Sequence, residues 1–456
     1  MPMNRSIPLA GLLAALSVAP AGAQTLADRY RPAAESIMSA AMRDSAAWNR
    51  LAELTDRFGN RISGSEALEH AIDWIIDQMR RDGLANVRGE PVMVPHWVRG
   101  AESAELVQPR RAPLSMLGLG MSVGTPPAGI EAEVMVVSSF DEFTRRQGEA
   151  RGKIVLWDAP YAGYGQTVRY RTTGANVASK AGAVASLIRS VAAYSIRSPH
   201  TGTLTYDSTA TPIPAAALSV EDAMMIHRMV DRGERVVVRL TMAAQTLPDA
   251  PSRNVMGELT GRERPQEVVV LGGHIDSWDV GMGAMDDAGG VVVSWEALRL
   301  LKRLGLRPRR TIRVVGWTNE ENGGRGGLGY RDAHQGELDN HVLAFESDGG
   351  VFRTQGFGFN GSDSATALVR QIASLLRPIG ADSVQRGGGG ADIGPIVQAG
   401  VPAMSPNVDG SKYFWFHHSN GDTVDKLDAR DMQQCVAAFA VMMYVVADMP
   451  DRLPRR

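Results

Sequence analysis

The chain has 456 residues, 44% of them hydrophobic and 21% charged. That is ordinary globular composition, which excludes a mostly disordered chain and implies two to three structural units. Lys and Arg number 48 against 50 Asp and Glu, a net charge of −2, so nothing electrostatic points to a nucleic acid partner.

Residues 1–23 read as a secretory signal. Arg5 gives the positive start, residues 7–18 an apolar core, and Ala21-Gly22-Ala23 a cleavage site of small residues. Cleavage leaves a chain that starts at Gln24 and works in the periplasm or outside the cell. Ile37, Ala41, Trp48, Leu51 and Leu54 then recur at helical spacing. Ser63 and Glu66 have capping-box spacing. Leu68, Ile72, Ile75, Ile76 and Met79 form one helical stripe, ended by Gly83. From about 95 to 245 the character changes. Short β-rich runs at 133–137 and 153–157 lie among Pro, Gly and Ser clusters, with a small-residue helix over 174–188. This stretch reads as a separate β-rich module.

From about 250 strands and helices alternate, the mark of an α/β sheet. Strands are expected at 268–271, 311–317 and 342–345. Helices are expected at 290–304, at 365–376 before Pro378, and at 429–448. The apolar run 436–447 falls short of the roughly 20 residues a membrane span needs, so it reads as a buried helix. No membrane partner is expected after signal cleavage.

The polar residues of interest collect after these strands, where α/β sheets place functional groups. The first strand runs into His274-Ile275-Asp276. His274 can ligate a metal through one ring nitrogen while Asp276 accepts a hydrogen bond from the other. Asp286 and Asp287 precede the helix at 290, one acid more than a helix cap requires. Glu320 and Glu321 follow the strand 311–317 in a glycine-rich turn, and neighbouring carboxylates there repel unless a cation lies between them. Glu346 and Asp348 follow the third strand. His417 and His418 come from a late loop; one is a ligand and the other packs. With Cys435 the only cysteine, any metal must be held by His, Asp and Glu. Such N and O donors suit zinc, cobalt or manganese, and three acids with two imidazoles suit a pair of ions sharing one carboxylate.

At these residues the sequence resembles the M28 metallopeptidase family of co-catalytic zinc enzymes. The likeness extends through residues 274–280, 283–287, 294–298 and 413–423. In the middle module Arg151-Gly152-Lys153-Ile154-Val155 resembles a protease-associated domain. The resemblance covers nearly all of the chain after the signal. It implies an α/β fold with a mixed sheet flanked by helices, built from residues 24–95 and 246–456. Residues 96–245 become an inserted β-rich protease-associated domain. It implies two Zn²⁺ per chain: His274 and Asp348 on one, Glu321 and His418 on the other, Asp286 bridging both. It makes Glu320 the general base acting on a metal-activated water and Asp276 the partner of His274. It also implies a cis peptide after Asp286, a homodimer, and a small peptide substrate, above all dipeptides with free termini. An aminopeptidase or an N-acyl amino acid deacylase would use the same metals. A non-catalytic peptide-binding protein is the remaining reading, and the complete ligand set with Glu320 argues against it.

Overall fold

The computed structural model describes residues 25–455, so the expected signal at 1–23 lies outside the described residues. Two eight-stranded sheets organise the described residues. The first runs in the order Ala85–Val98, Gln245–Leu259, Arg310–Trp317, Arg264–His274, His341–Glu346, Ala403–Val408, Thr354–Asn360, Ser383–Arg386. Its four central strands, from Arg310–Trp317 to Ala403–Val408, are parallel, and antiparallel strands flank them.

Alternation of side chains along each strand divides two apolar layers. Val269, Leu271, Ile312, Val314, Leu343 and Phe345 face the larger core, under the helices Leu26–Ala41, Ala46–Phe58, Glu66–Arg81, Gly289–Arg303 and Ala429–Asp448. Val268, Val270, Val315 and Trp317 face the other, with Tyr330 of the helix Arg325–Ala333 and Ile396 of the short helix Gly394–Gln398. Ala429–Asp448 is buried on almost every side, as a continuous apolar run requires. Among the described residues no helix is long and apolar enough to cross a membrane.

The second sheet is made from residues 102–242, in the order Ala112–Leu114, Glu102–Gln108, Val237–Met242, Ile130–Val137, Ile154–Trp157, Ala185–Arg189, Ala215–Leu218, Met116–Gly118. Helices cover both of its faces: Phe143 and Ala175 pack on one, Ile226 and Met229 on the other. The module is therefore less purely β than its runs suggest. Its connection to the first sheet is a two-stranded ribbon, in which Ala85–Val98 pairs antiparallel with Gln245–Leu259. The chain leaves the main sheet after Val98 and returns at Gln245.

Three local expectations change. The helix starting at Glu66 is capped by Ser65, whose hydroxyl accepts from the Leu68 amide, so Ser63 is not the cap. The helix expected over 174–188 is a helix Arg169–Lys180 followed by a strand Ala185–Arg189, because Gly182 at φ +85° turns the chain between them. The helix expected over 365–376 ends at Ala373, and Pro378 lies inside a tighter turn, Ser374–Ile379.

A candidate metal centre at the sheet edge

Three adjacent parallel strands deliver their chemistry to one edge. His274 ends its strand, Glu320 and Glu321 follow Trp317, and Asp348 follows Glu346. Asp286 enters from the turn Ala284–Ala288 ahead of the helix Gly289–Arg303. His418 enters after the short helix Tyr413–Phe416. The Asp286 carboxylate lies at the middle. Its Oδ1 is 3.1 Å from His274 Nε2, which is itself 3.4 Å from Asp348 Oδ1. Its Oδ2 is 3.3 Å from His418 Nε2, which is 3.0 Å from Glu321 Oε2. One oxygen thus faces one His–acid pair and the other oxygen faces the second pair. His417 is stacked on His418 with ring centroids 3.5 Å apart, and its Nε2 is 3.5 Å from Asp286 Oδ2. Both late histidines therefore face the same acid.

The support around these groups is polar and buried. Asp422 accepts from the amides of Ala284, Met285 and Asp286 at 3.0, 2.7 and 3.2 Å, fixing the turn that presents Asp286. Asp287 accepts from the amides of His274 and Gly290, both at 3.1 Å. The Asp286–Asp287 peptide is cis. Asp276 holds His274 through its backbone carbonyl, 2.9 Å from Nδ1, while its carboxylate oxygen is 3.7 Å from that nitrogen. The carboxylate is occupied by the Glu320 and Glu321 amides, at 3.0 and 3.3 Å, and so positions the acid pair. Arg61 is fully buried and spends its guanidinium on the carbonyls of Gly59, Ile275, Met282 and Gly283.

The electrostatics call for cations. Burial raises the Glu320 and Asp348 carboxyls above their usual range and pushes Glu321 up to about 7. Neighbouring acids add to the rise, against the histidines beside them. Burial alone would lower His418, yet Glu321 and Asp286 push it up to about 10. Asp286 Oδ2 and Glu321 Oε1 are buried and make no hydrogen bond among the described residues. Buried acids with idle oxygens, facing imidazole nitrogens, are a donor set for hard-to-borderline divalent ions. Three overlapping His–acid groups, each within 4.8 Å, meet here: Asp286 with His417 and His418, His274 with Asp287 and Asp348, and His274 with Asp286 and Glu321.

The family model of peptidase family M28 matches residues 254–443, the stretch that carries these groups. The chain is 51% identical over 408 residues to human carboxypeptidase Q, covering 90% of this chain and 86% of that protein. It is 49% identical over 429 residues to mouse carboxypeptidase Q, covering 93% and 91%. A crystal structure of a peptidase M28 precursor from Shewanella amazonensis superposes with a TM-score of 0.90 at 35% identity, covering 94% of this chain and 99% of that one. The chain belongs to peptidase family M28. It is a metallopeptidase.

In this M28 peptidase the cleft over the acids has a volume of about 390 Å³. Glu320, Glu321, Asp348, Asp286 and His418 line its floor, and Tyr164, Arg171 and Thr203 of the second module line its wall. Of the aromatics near the late loop, Tyr413 and Phe414 reach the cleft. Trp278 packs beside the His418 ring, and Trp415 packs at a tilt against Tyr194. Arg61, Asp422, Ser63 and Arg171 are functional-site residues that reading the sequence does not single out. Ser63 accepts from Asn319 Nδ2 at 3.0 Å, just before the acid pair. Asp422 sits in a motif that resembles the family, a signal that could have marked it. Arg61 has no local signal.

Arg61 ties the segment after His274 to the one before Asp286. Replacing it by Met leaves four carbonyls without their donor and is expected to cost about 3 kcal/mol or more of stability. Urea unfolding of the Arg61→Met protein measures this. Loss of bound metal in the same protein is expected, read by elemental analysis.

Proposed function

We propose that this M28 peptidase is a secreted or periplasmic dizinc exopeptidase that hydrolyses small peptides, chiefly dipeptides with free termini. The observation that carries the two-ion reading is the Asp286 carboxylate, with one oxygen toward His274 and Asp348 and the other toward His418 and Glu321. In this reading His274 and Asp348 hold one zinc, Glu321 and His418 the other, and Asp286 both. Zinc in this site supplies acidification of a bound water and polarisation of the scissile carbonyl. Glu320, beside that space, takes the water's proton and passes it to the leaving amine. Its raised proton affinity, from burial and from Asp348 and Glu321 against His274, suits that transfer. Asp276 aims Glu320 by holding its amide.

Arg171 supports the substrate reading. Its side chain is buried on the cleft wall, and among the described residues it forms no ion pair. It donates to the Tyr164 hydroxyl at 2.8 Å, and among the described residues its Nε has no partner. A buried guanidinium without a carboxylate suits a substrate's free C-terminal carboxylate. That favours carboxypeptidase or dipeptidase action over aminopeptidase or deacylase action. The carboxypeptidase Q relatives point the same way. Residues 96–245 act as a protease-associated module that closes one side of the cleft, and the protein works as a homodimer in this reading.

Two variants test the assignment. Glu320→Gln is expected to keep both zinc ions and lose about 100-fold or more in kcat on a free dipeptide. Zinc content and turnover measured on one preparation decide it, and full activity removes Glu320 from the role. Arg171→Met is expected to weaken kcat/KM on free dipeptides by about 30-fold or more and to weaken dipeptide amides far less, the shared loss coming from the missing bond to the Thr201 carbonyl. Equal loss on both substrates would remove the carboxylate from Arg171.

A further inference from the structure

The loop that carries His418 is held by the second module. His418 has φ +59°, a left-handed backbone that favours glycine and is uncommon in other residues, although histidine adopts it more readily than most. Such a conformation persists only where surrounding contacts fix it. Here the contacts come from residues more than two hundred positions earlier in the chain. The Thr201 amide donates to the His418 carbonyl at 2.9 Å. His200 Nδ1 lies 2.6 Å from the His417 carbonyl. A carbonyl only accepts, so Nδ1 carries the hydrogen. The Thr201 carbonyl in turn lies 3.4 Å from His418 Nδ1. With a proton on Nδ1 donated there, the Nε2 lone pair is left toward Glu321 and Asp286. Arg171 Nη1 donates to the same Thr201 carbonyl at 3.3 Å.

The segment is anchored at its other side. The His200 amide donates to Ser190 Oγ at 2.9 Å, and Ser190 Oγ donates to the Leu218 carbonyl at 2.6 Å. Ser190 and Leu218 stand at the ends of the strands Ala185–Arg189 and Ala215–Leu218. The second sheet is thus bonded through Ser190 and His200 to the ligand loop. Gly202, at φ +132°, lets the chain pass Arg171, whose Cζ would lie 2.3 Å from a Cβ at that position.

We propose that the second module is a working part of the metal centre, with residues 200–201 forming a strap that fixes the His418 turn. His200 is its positioning residue. The strap sets zinc affinity at the half of the site built from Glu321 and His418. This rests on the ligand reading of His418 given above.

The test uses the full chain from Gln24, loaded with zinc. Wild type, His200→Ala, His200→Asn and His418→Ala are titrated with a chelator, and zinc remaining per chain is measured. Melting of the zinc-free proteins is followed alongside. His200→Ala is expected to release one zinc at about 10- to 100-fold lower chelator, with the other zinc and the zinc-free melting temperature near wild type. His200→Asn, which can place an N–H where Nδ1 stood, is expected to recover most of the retention. Unchanged retention in His200→Ala overturns the proposal. Equal impairment in both variants also overturns it, because the cause would then be a cavity and not the bond. Should His200→Ala fail to fold, Ser190→Ala replaces it: several-fold weaker retention supports the strap, and wild-type retention contradicts it. His418→Ala separates the two readings. If it keeps both zinc ions, the ligand reading falls; if it loses one while His200→Ala loses none, only the strap falls.

Discussion

Mutual repulsion of carboxylates crowded at one sheet edge is the constraint on which the rest of the molecule depends. Asp286, Glu320, Glu321 and Asp348 meet in a cleft where burial alone raises the cost of every negative charge. Such a cluster is held only by positive partners and by rigid anchoring of each acid. Imidazoles stand at both ends of Asp286, and the buried Arg61 braces the segments beneath it. Amide donors then fix the individual acids: three to Asp422, two to Asp287 and two to Asp276.

The fold serves this edge in two ways. The parallel order of the central strands brings His274, Glu321 and Asp348 side by side, because each stands at or just beyond the end of one of three neighbouring strands. Close packing behind them needs glycine. At Gly273 a Cβ would lie 2.0 Å from Asp287 Oδ2, and at Gly290 one would lie 2.1 Å from the Ser347 carbonyl oxygen. The second module then completes the cleft from above. It supplies Arg171 and Tyr164 to the wall and clamps the loop of His418.

How much of this is legible in the sequence follows from how each residue acts. The acids and histidines are legible because each stands next to a local signal, an apolar strand run or a glycine turn. The main-sheet strands and the last helix are legible for the same reason, their apolar pattern being local. The bracing residues are not. Arg61 reaches the Ile275 carbonyl across 214 positions, and His200 reaches His417 across 217. Their roles exist only once distant parts of the chain have folded together. Ser63 shows the same limit from the other side. Its spacing to Glu66 imitates a helix cap, while Ser65 caps the helix and Ser63 serves the acid turn.

Zinc content of Asp286→Ala beside the wild type tests the central claim, that one carboxylate serves two ions, most directly. Elemental analysis of both proteins after gel filtration is expected to give two zinc ions per chain in the wild type. The variant is expected to lose both, or to hold the remaining one far more weakly, while its unfolding midpoint shows that it is folded. One zinc per chain in the wild type, or two firmly retained in Asp286→Ala, would contradict the account.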